Sequence, residues 1–384
     1  MNSIDKIKNI ITSVDKKLGA KSVDLTNVIQ VLCNGYGTST TSKTRYTPSN
    51  SNIESNGHLK NLLQCANRKT GQSDETMTQA IQRLCNGYNE SEKLYSFGVL
   101  SDIHIQYVTG LDDFQRALTY LRTHVPFTCI CGDLVSFASS ENMAQYKEYI
   151  TNYKGDMLIY ECAGNHESYP SLGVGSDVDL TLWKNTTGKE PFYSFTYKDD
   201  VFLFLSLKSE RPADLFADGG LTWLEQTLEA NKNKRCFVFQ HVQDPEDRSA
   251  DPSDTYSKIL GGTSGKDFLR IIKKYKNTIW FHGHTHVTLG VDIYPVATKL
   301  GYRSVHIPSL VSPRFYDKTT NALVDYYYDE NNNKIWGSTL AQGYIVDVYE
   351  NKIVLKGVDF ANGSNKDQVA LMSEEFYVID TTLV

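Results

Sequence analysis

Residues 278–286 read TIWFHGHTH: an apolar, strand-like run, then Gly283, then His284 and His286 two positions apart. β-Branched and aromatic residues favour the pleated, buried strand. The glycine permits a tight turn off its end. Two histidines spaced by one residue on an extended segment or its turn can point the same way. Apolar runs ending in Asp, Asn or His recur four times upstream, with a glycine before the donor at Asp133 and Asn165. YSFGVL is followed by Asp102-Ile103-His104, FTCIC by Gly132-Asp133, LIYECA by Gly164-Asn165-His166-Glu167, and FVFQ by His241. Helical patterns near 111–123, 141–153, 220–230 and 266–275 fall between the runs, and strands return from about residue 344. Continuous apolar strands alternating with helices predict an α/β sandwich with both faces of its sheets covered. In such sheets catalytic and ligand-binding groups collect at the carboxyl ends of the strands, which is where all five phrases sit.

Of the seven candidate ligands, Asp102, His104, Asp133, His241, His284 and His286 are Asp or His, and Asn165 offers a neutral carbonyl. Nitrogen and oxygen donors of this kind suit Mn, Fe or Zn rather than Ca or a thiolate zinc site. In this order the phrases DxH, GD, GNHE, His and GHTH resemble the calcineurin-like metallophosphoesterase family over roughly residues 94–310, with every ligand type intact. The resemblance implies a four-layer αββα sandwich. It implies one metal on Asp102, His104 and His286, a second on Asn165, His241 and His284, and Asp133 bridging the two. It further implies attack on a phosphoester by a hydroxide between two cations. His166 is then the group that protonates the leaving alkoxide or orients the phosphate, and Glu167 a residue that steadies His166 or a ligand imidazole. The arrangement looks closest to the family's small bacterial phosphodiesterases. Ser136 stands where the purple acid phosphatase variant carries a tyrosine ligand, which argues against that subgroup.

The bulk properties exclude little else. The chain has 384 residues, 40% apolar and 22% charged, and a formal net charge of −6. An acidic balance gives no sign of a nucleic-acid or anionic-membrane partner. The seven cysteines form no CxxC pair and lie partly in apolar runs, so they read as buried thiols of a reducing compartment. No run reaches the ~20 apolar residues of a membrane span. The N-terminus is amphipathic rather than a signal sequence, so synthesis in the cytoplasm is expected.

Residues 1–90 form a separate unit, a small α-helical repeat appendage to the catalytic domain at 91–384. Residues 9–37 align with 61–89 at an offset of 52, with 11 identities in 29 positions, and both copies end in Leu-Cys-Asn-Gly-Tyr. Each copy reads as two short helices that cannot bury an apolar face alone, so the repeats are expected to pack on themselves or another protein. The segment between them, 38–57, is a linker with 13 Ser, Thr or Asn. This part loosely resembles segments of phage and prophage tail-associated proteins, which implies a virion or surface component after lysis as the alternative function. His58, His124 and His306 read as structural, and His282 as pointing away from its neighbours. The tyrosine cluster at 326–328 reads as packing in an inserted loop spanning 314–338.

Overall fold

Strand β1 (Tyr95–Leu100) shows how the sequence sorts its side chains. Successive residues of a strand face opposite sides, so Phe97 and Val99 enter one core while Leu100 enters another. The same alternation runs through β2 (Phe127–Cys131) and β3 (Leu158–Cys162), which lie parallel to β1 and to each other. The protein is described by a computed structural model over residues 93–106, 110–168, 180–208, 214–243, 262–288, 296–297, 302–317, 322–328, 334–350, 352–361 and 370–380. The repeats and linker expected at 1–90, and any attachment role for them, lie outside the described residues.

Two six-stranded sheets make the centre. The first adds β14 (Gln342–Val348), β15 (Lys352–Asp359) and β16 (Ala370–Asp380) antiparallel beside β1, in the order β16-β15-β14-β1-β2-β3. The second runs β4 (Phe192–Tyr197), β5 (Asp200–Leu205), β6 (Cys236–Phe239), β7 (Thr278–His282), β9 (Arg303–His306) and β8 (Val296–Ala297). Within it β5, β6, β7 and β9 are parallel. An aromatic core fills the space between the sheets, with Phe97, Phe127, Phe202, Phe237, Phe239 and Phe281 fully or almost fully buried. Burying each such ring stabilises the fold by roughly 1.5–3 kcal/mol.

Helices cover the outer faces. On the first sheet lies α1 (Gly110–Leu121), whose Phe114, Ala117, Leu118 and Leu121 recur at helical spacing and are all buried. Beside it are α2 (Ser140–Tyr153) and α3 (Thr181–Thr187). The α2 start is set by Ser139, whose hydroxyl accepts from the Asn142 amide at 3.1 Å. On the second sheet lie α4 (Gly220–Ala230) and α5 (Thr263–Lys274), and α5 buries Phe268, Ile271, Ile272 and the following Tyr275 at the same spacing. The result is the αββα sandwich that the sequence implies. At the amino ends of the parallel strands a buried Asp200 takes two bonds from Arg235, at 3.1 and 2.7 Å, and one from Tyr95 of the opposite sheet. That contact closes the end of the sandwich away from the functional residues.

Cys129, Cys131, Cys162 and Cys236 are free and buried, as the apolar runs around them suggested. Among the described residues no helix is long and apolar enough to cross a membrane. One expectation is corrected. Segment 314–338 is not a plain loop but contains two small antiparallel ribbons, β10 (Phe315–Asp317) with β11 (Ala322–Val324) and β12 (Tyr326–Tyr328) with β13 (Lys334–Trp336).

Candidate metal centre

The carboxyl ends of β1, β2 and β3 in one sheet and of β6 and β7 in the other open on the same edge, and the five phrases meet there. Their backbones interlock. The amides of Ile103 and His104 donate to the Asp133 carbonyl at 2.8 and 3.0 Å, and Gly283 donates to His241 at 3.0 Å. Five of the seven candidate ligands turn through the left-handed region: Asp102 (φ 54°), His104 (47°), Asp133 (52°), His284 (75°) and His286 (57°). Asp and His tolerate that region better than most residues, but it still costs energy and clusters at functional sites. Gly164 is required by close approach, since a Cβ there would overlap the Asp133 carboxylate and stand 2.9 Å from His241 Cδ2.

Donor atoms converge in groups. Asp102, His104 and His286 form one, Asp133, His241 and His284 another, and His104, Asp133 and His166 a third, each with its atoms within 4.8 Å of one another. His104 Nε2 and His286 Nε2 are 3.0 Å apart, and His286 Nε2 is 3.4 Å from Asp102 Oδ1. On the other side His241 Nε2 is 2.9 Å from Asp133 Oδ2, and His284 Nδ1 is 3.0 Å from Asn165 Oδ1. Asp133 also stands 3.7 Å from His104 Nε2, so it lies between the two groups.

The donors fit divalent cations. Ring atom Nδ1 of His241 meets the Cys131 carbonyl at 2.6 Å; a carbonyl only accepts, so the proton sits on Nδ1. That leaves the Nε2 lone pair, fully buried and without a hydrogen bond, aimed at Asp133 and at Asp102 Oδ1 3.8 Å away. A lone pair facing two buried carboxylates calls for positive charge between them. The electrostatics say the same. Burial disfavours charge on His241, yet Asp133 and Asp102 raise its pKa to about 10, so those carboxylates draw a proton to Nε2 unless a cation takes its place. Burial and the nearby His241 bring His284 down to about 3, and burial with His286 holds His104 well below the usual histidine range. Neutral imidazoles are what a metal binds. Burial opposes the Asp133 charge, but the imidazoles of His241 and His166 hold its carboxyl well below the usual carboxylate range.

His166 is held at the mouth. Its Nδ1 meets the Ser136 carbonyl at 2.7 Å, its amide donates to Asp133 Oδ1 at 3.0 Å, and its Nε2 is 3.9 Å from Asp133 Oδ2. Glu167 binds main chain. The short 3₁₀ turn His166–Ser168 swings its carboxylate back onto main chain. Oε2 accepts from the amides of Gly164 (2.7 Å) and Asp133 (3.0 Å), and Oε1 from Leu134 (2.7 Å) and Val135 (3.1 Å). Glu167 therefore fixes the turn that aims Asp133 and ties it to the turn that aims Asn165.

Some contributors were missed in the sequence. Ser309 Oγ lies 3.3 Å from His286 Nδ1 and donates to the Asp102 carbonyl at 3.3 Å. The Thr285 hydroxyl meets His306 Nε2 at 2.8 Å, so His306 supports the GHTH turn as well as packing. Neither lies in a phrase with a metal-ligand pattern, and no local signal marks them. His282 is buried beside Trp280 and His306, turned away from the cluster.

A profile of the family described as calcineurin-like phosphoesterase matches residues 95–288. The chain belongs to that family. The match covers the five phrases through His286. Similar solved structures include purple acid phosphatase PPD1 from yellow lupin (Lupinus luteus) seeds, 13% identical over 76% of this chain and 55% of that one, with a TM-score of 0.47. This chain thus spans about half the length of the lupin protein. Vacuolar Protein Sorting 29 from Cryptosporidium parvum is 12% identical over 74% of this chain and 98% of its own, TM-score 0.34. A predicted phosphoesterase from Streptococcus pneumoniae is 9% identical over 74% and 98%, TM-score 0.32. No curated protein matches the chain.

Proposed function

We propose that the protein is a phosphodiesterase dependent on two metal ions, with Asp102, His104 and His286 holding one, Asn165, His241 and His284 the other, and Asp133 shared. The observation that carries the reading is the central place of Asp133, whose carboxylate stands 2.9 Å from His241 Nε2 of one group and 3.7 Å from His104 Nε2 of the other. Mn, Fe or Zn suits such donors. When bound, the pair would supply charge to neutralise the phosphoryl oxygens and to make water a competent nucleophile near neutral pH.

The chain's own residues supply positioning and a proton. With Nδ1–H committed to the Ser136 carbonyl, His166 presents Nε2 to the cluster from a side chain that is 31% exposed. A proton held at that nitrogen can be given to the departing alkoxide. Room for a second ester group supports the diester reading. A cavity of about 570 Å³, far larger than a phosphate, borders His284 and His286 and extends past Arg314 to Trp336.

The test is metal analysis of the full chain with assays of bis(p-nitrophenyl) phosphate and p-nitrophenyl phosphate under added Mn²⁺. Two metals per chain and faster turnover of the diester are expected, both lost in Asp133→Asn. Preference for the monoester would overturn the diester reading. A folded protein that binds no metal and turns over neither ester would overturn the whole proposal.

A further inference from the structure

The cavity beside His284 and His286 has a far wall of unusual composition. Arg314, Asp325, Trp336 and Ser338 line it, and all belong to the segment that holds the two small ribbons. That wall is locked to the metal centre through backbone. The Arg314 amide donates to the His286 carbonyl, and the Arg314 carbonyl accepts from Thr288 at 2.8 Å. Gly337 lies so close to Pro313 that a Cβ would overlap the Pro313 carbonyl, and its amide donates to Asp325 at 2.8 Å. Trp336 is thereby fixed relative to His286.

One face of the β12–β13 ribbon is aromatic. Tyr326 pairs directly across from Trp336, with ring centroids 5.2 Å apart. Lys334, on the same face, sets its ammonium 3.5 Å from the Tyr326 ring centroid and 3.9 Å from that of Trp336. The arrangement holds the indole steady yet leaves Trp336 45% exposed on the cavity wall. A large aromatic fixed by its neighbours but not buried, beside polar groups and a catalytic centre, matches what ring-stacking sites use. Asp325, 76% exposed, and Ser338 offer oxygens that can accept from hydroxyls.

We infer that this wall is a substrate subsite: Trp336 stacks on a sugar or nucleoside ring carried by one ester group of the phosphodiester, with Asp325 and Ser338 binding its hydroxyls. The inference rests on the phosphodiesterase reading and names its substrate class. Trp336 is then a specificity-determining residue that touches no reacting atom. Removing it should weaken selection for a ring-bearing ester and leave simple diesters alone.

The experiment compares three diesters sharing a p-nitrophenyl leaving group, whose second ester group is thymidine 5′-yl, 2-deoxyribose 5-yl or methyl. Any stacking of p-nitrophenyl cancels from the ratios of kcat/KM. Metal-loaded full-length protein should favour a ring-bearing ester over the methyl ester about tenfold or more, chiefly through KM, as stacking on an aromatic side chain allows. Trp336→Ala should lose most of that preference with the methyl ester unchanged, and Trp336→Phe should retain much of it. Comparison of the thymidine and deoxyribose esters tells whether base or sugar is the stacked ring. If all three diesters turn over at similar kcat/KM, or if Trp336→Ala leaves the ratios where they were, the subsite is overturned and the phosphodiesterase reading stands. If wild type turns over none of them, the phosphodiesterase reading itself falls, and this inference with it.

Discussion

Replacing Glu167 by Gln tests whether the metal centre is held from behind. The wild-type carboxylate accepts from four buried amides, those of Asp133, Leu134, Val135 and Gly164, at 2.7–3.1 Å. Glutamine keeps one acceptor oxygen, so two amides lose their partner and face an NH₂ group instead. Hydrogen bonds to a charged group contribute roughly 1.5–3 kcal/mol each, so the two lost bonds cost about 3–6 kcal/mol. Part is recovered, because burial and the charge of Asp133 push the Glu167 carboxyl up to about 7, and the variant no longer hides a charge. A net loss of about 2–3 kcal/mol remains, or a fall in Tm of roughly 5–10 °C for a domain of this size. The damage is also directional. Relaxation of the Gly132-Asp133 turn would misplace Asp133, the proposed shared ligand, and loss of a group that orients a metal ligand costs about 10- to 100-fold in affinity or activity. Thermal unfolding with and without Mn²⁺, metal content and diester turnover measure all three effects. A Gln variant that melts within about 1 °C of wild type and keeps its metals would refute the reasoning.

Three further outcomes follow from the same geometry. Gly164→Ala should lose metal and activity and unfold roughly 1–3 kcal/mol more easily, since its methyl collides with Asp133 and His241; metal content near wild type would contradict this. Chelation should lower Tm and readdition of Mn²⁺ restore it, by about 2.7 kcal/mol at a hundredfold excess over Kd, whereas an unmoved Tm would mean the donors bind no ion. Burial, only partly opposed by Lys189, pushes the Glu161 carboxyl from 4.5 up to about 8. Between those values the folded protein holds a proton that the unfolded chain has released. Stability contributed by this group therefore falls as pH rises across that window, by about 5 kcal/mol in full. Urea midpoints at pH 5 and 8.5 should converge in Glu161→Gln, and equal slopes in both proteins would exclude the effect.

The parts of the site that were legible in the sequence are those with a local cause. An apolar run followed within two residues by a donor specifies strand and strand-end turn together, with a glycine between them before Asp133, Asn165 and His284, and all five donors including Asp102 and His241 sit at strand ends. Helices such as α1 and α5 were legible because their buried residues repeat at helical spacing. What was not legible depends on distant partners. Strand β4 is an edge strand whose residues are only partly buried, so it carries no strong apolar run. The contacts of Ser309 and of His306 are made by chain that returns to the site after the last motif. The four amides that Glu167 holds belong to two different turns, and adjacency to His166 gives no sign of them. In the turn that follows the strand, neighbours in sequence point in different directions.

The left-handed backbone at five candidate ligands explains why this edge of the fold needs so much support. On a plain extended strand, side chains two residues apart project in parallel and stay nearly 7 Å apart. The turns at Asp102–His104 and His284–His286 instead fold the donors inward, until His104 and His286 Nε2 stand 3.0 Å from each other. Each such non-glycine residue costs roughly 1–2 kcal/mol, so the five together rival the net stability of a typical domain. Local sequence preference cannot carry that strain. It is opposed by bonds that cross between the turns: Ile103 and His104 to Asp133, Val311 to Asp102, Arg314 to His286, and the His284 amide to both oxygens of Asp102 at 3.2 Å. Each joins a strained turn to a separate stretch of chain, and the His284 amide joins the two sheets. The fold positions these donors by tying the turns to one another, and breaking the tie between His284 and Asp102 should therefore disturb donors on both sheets.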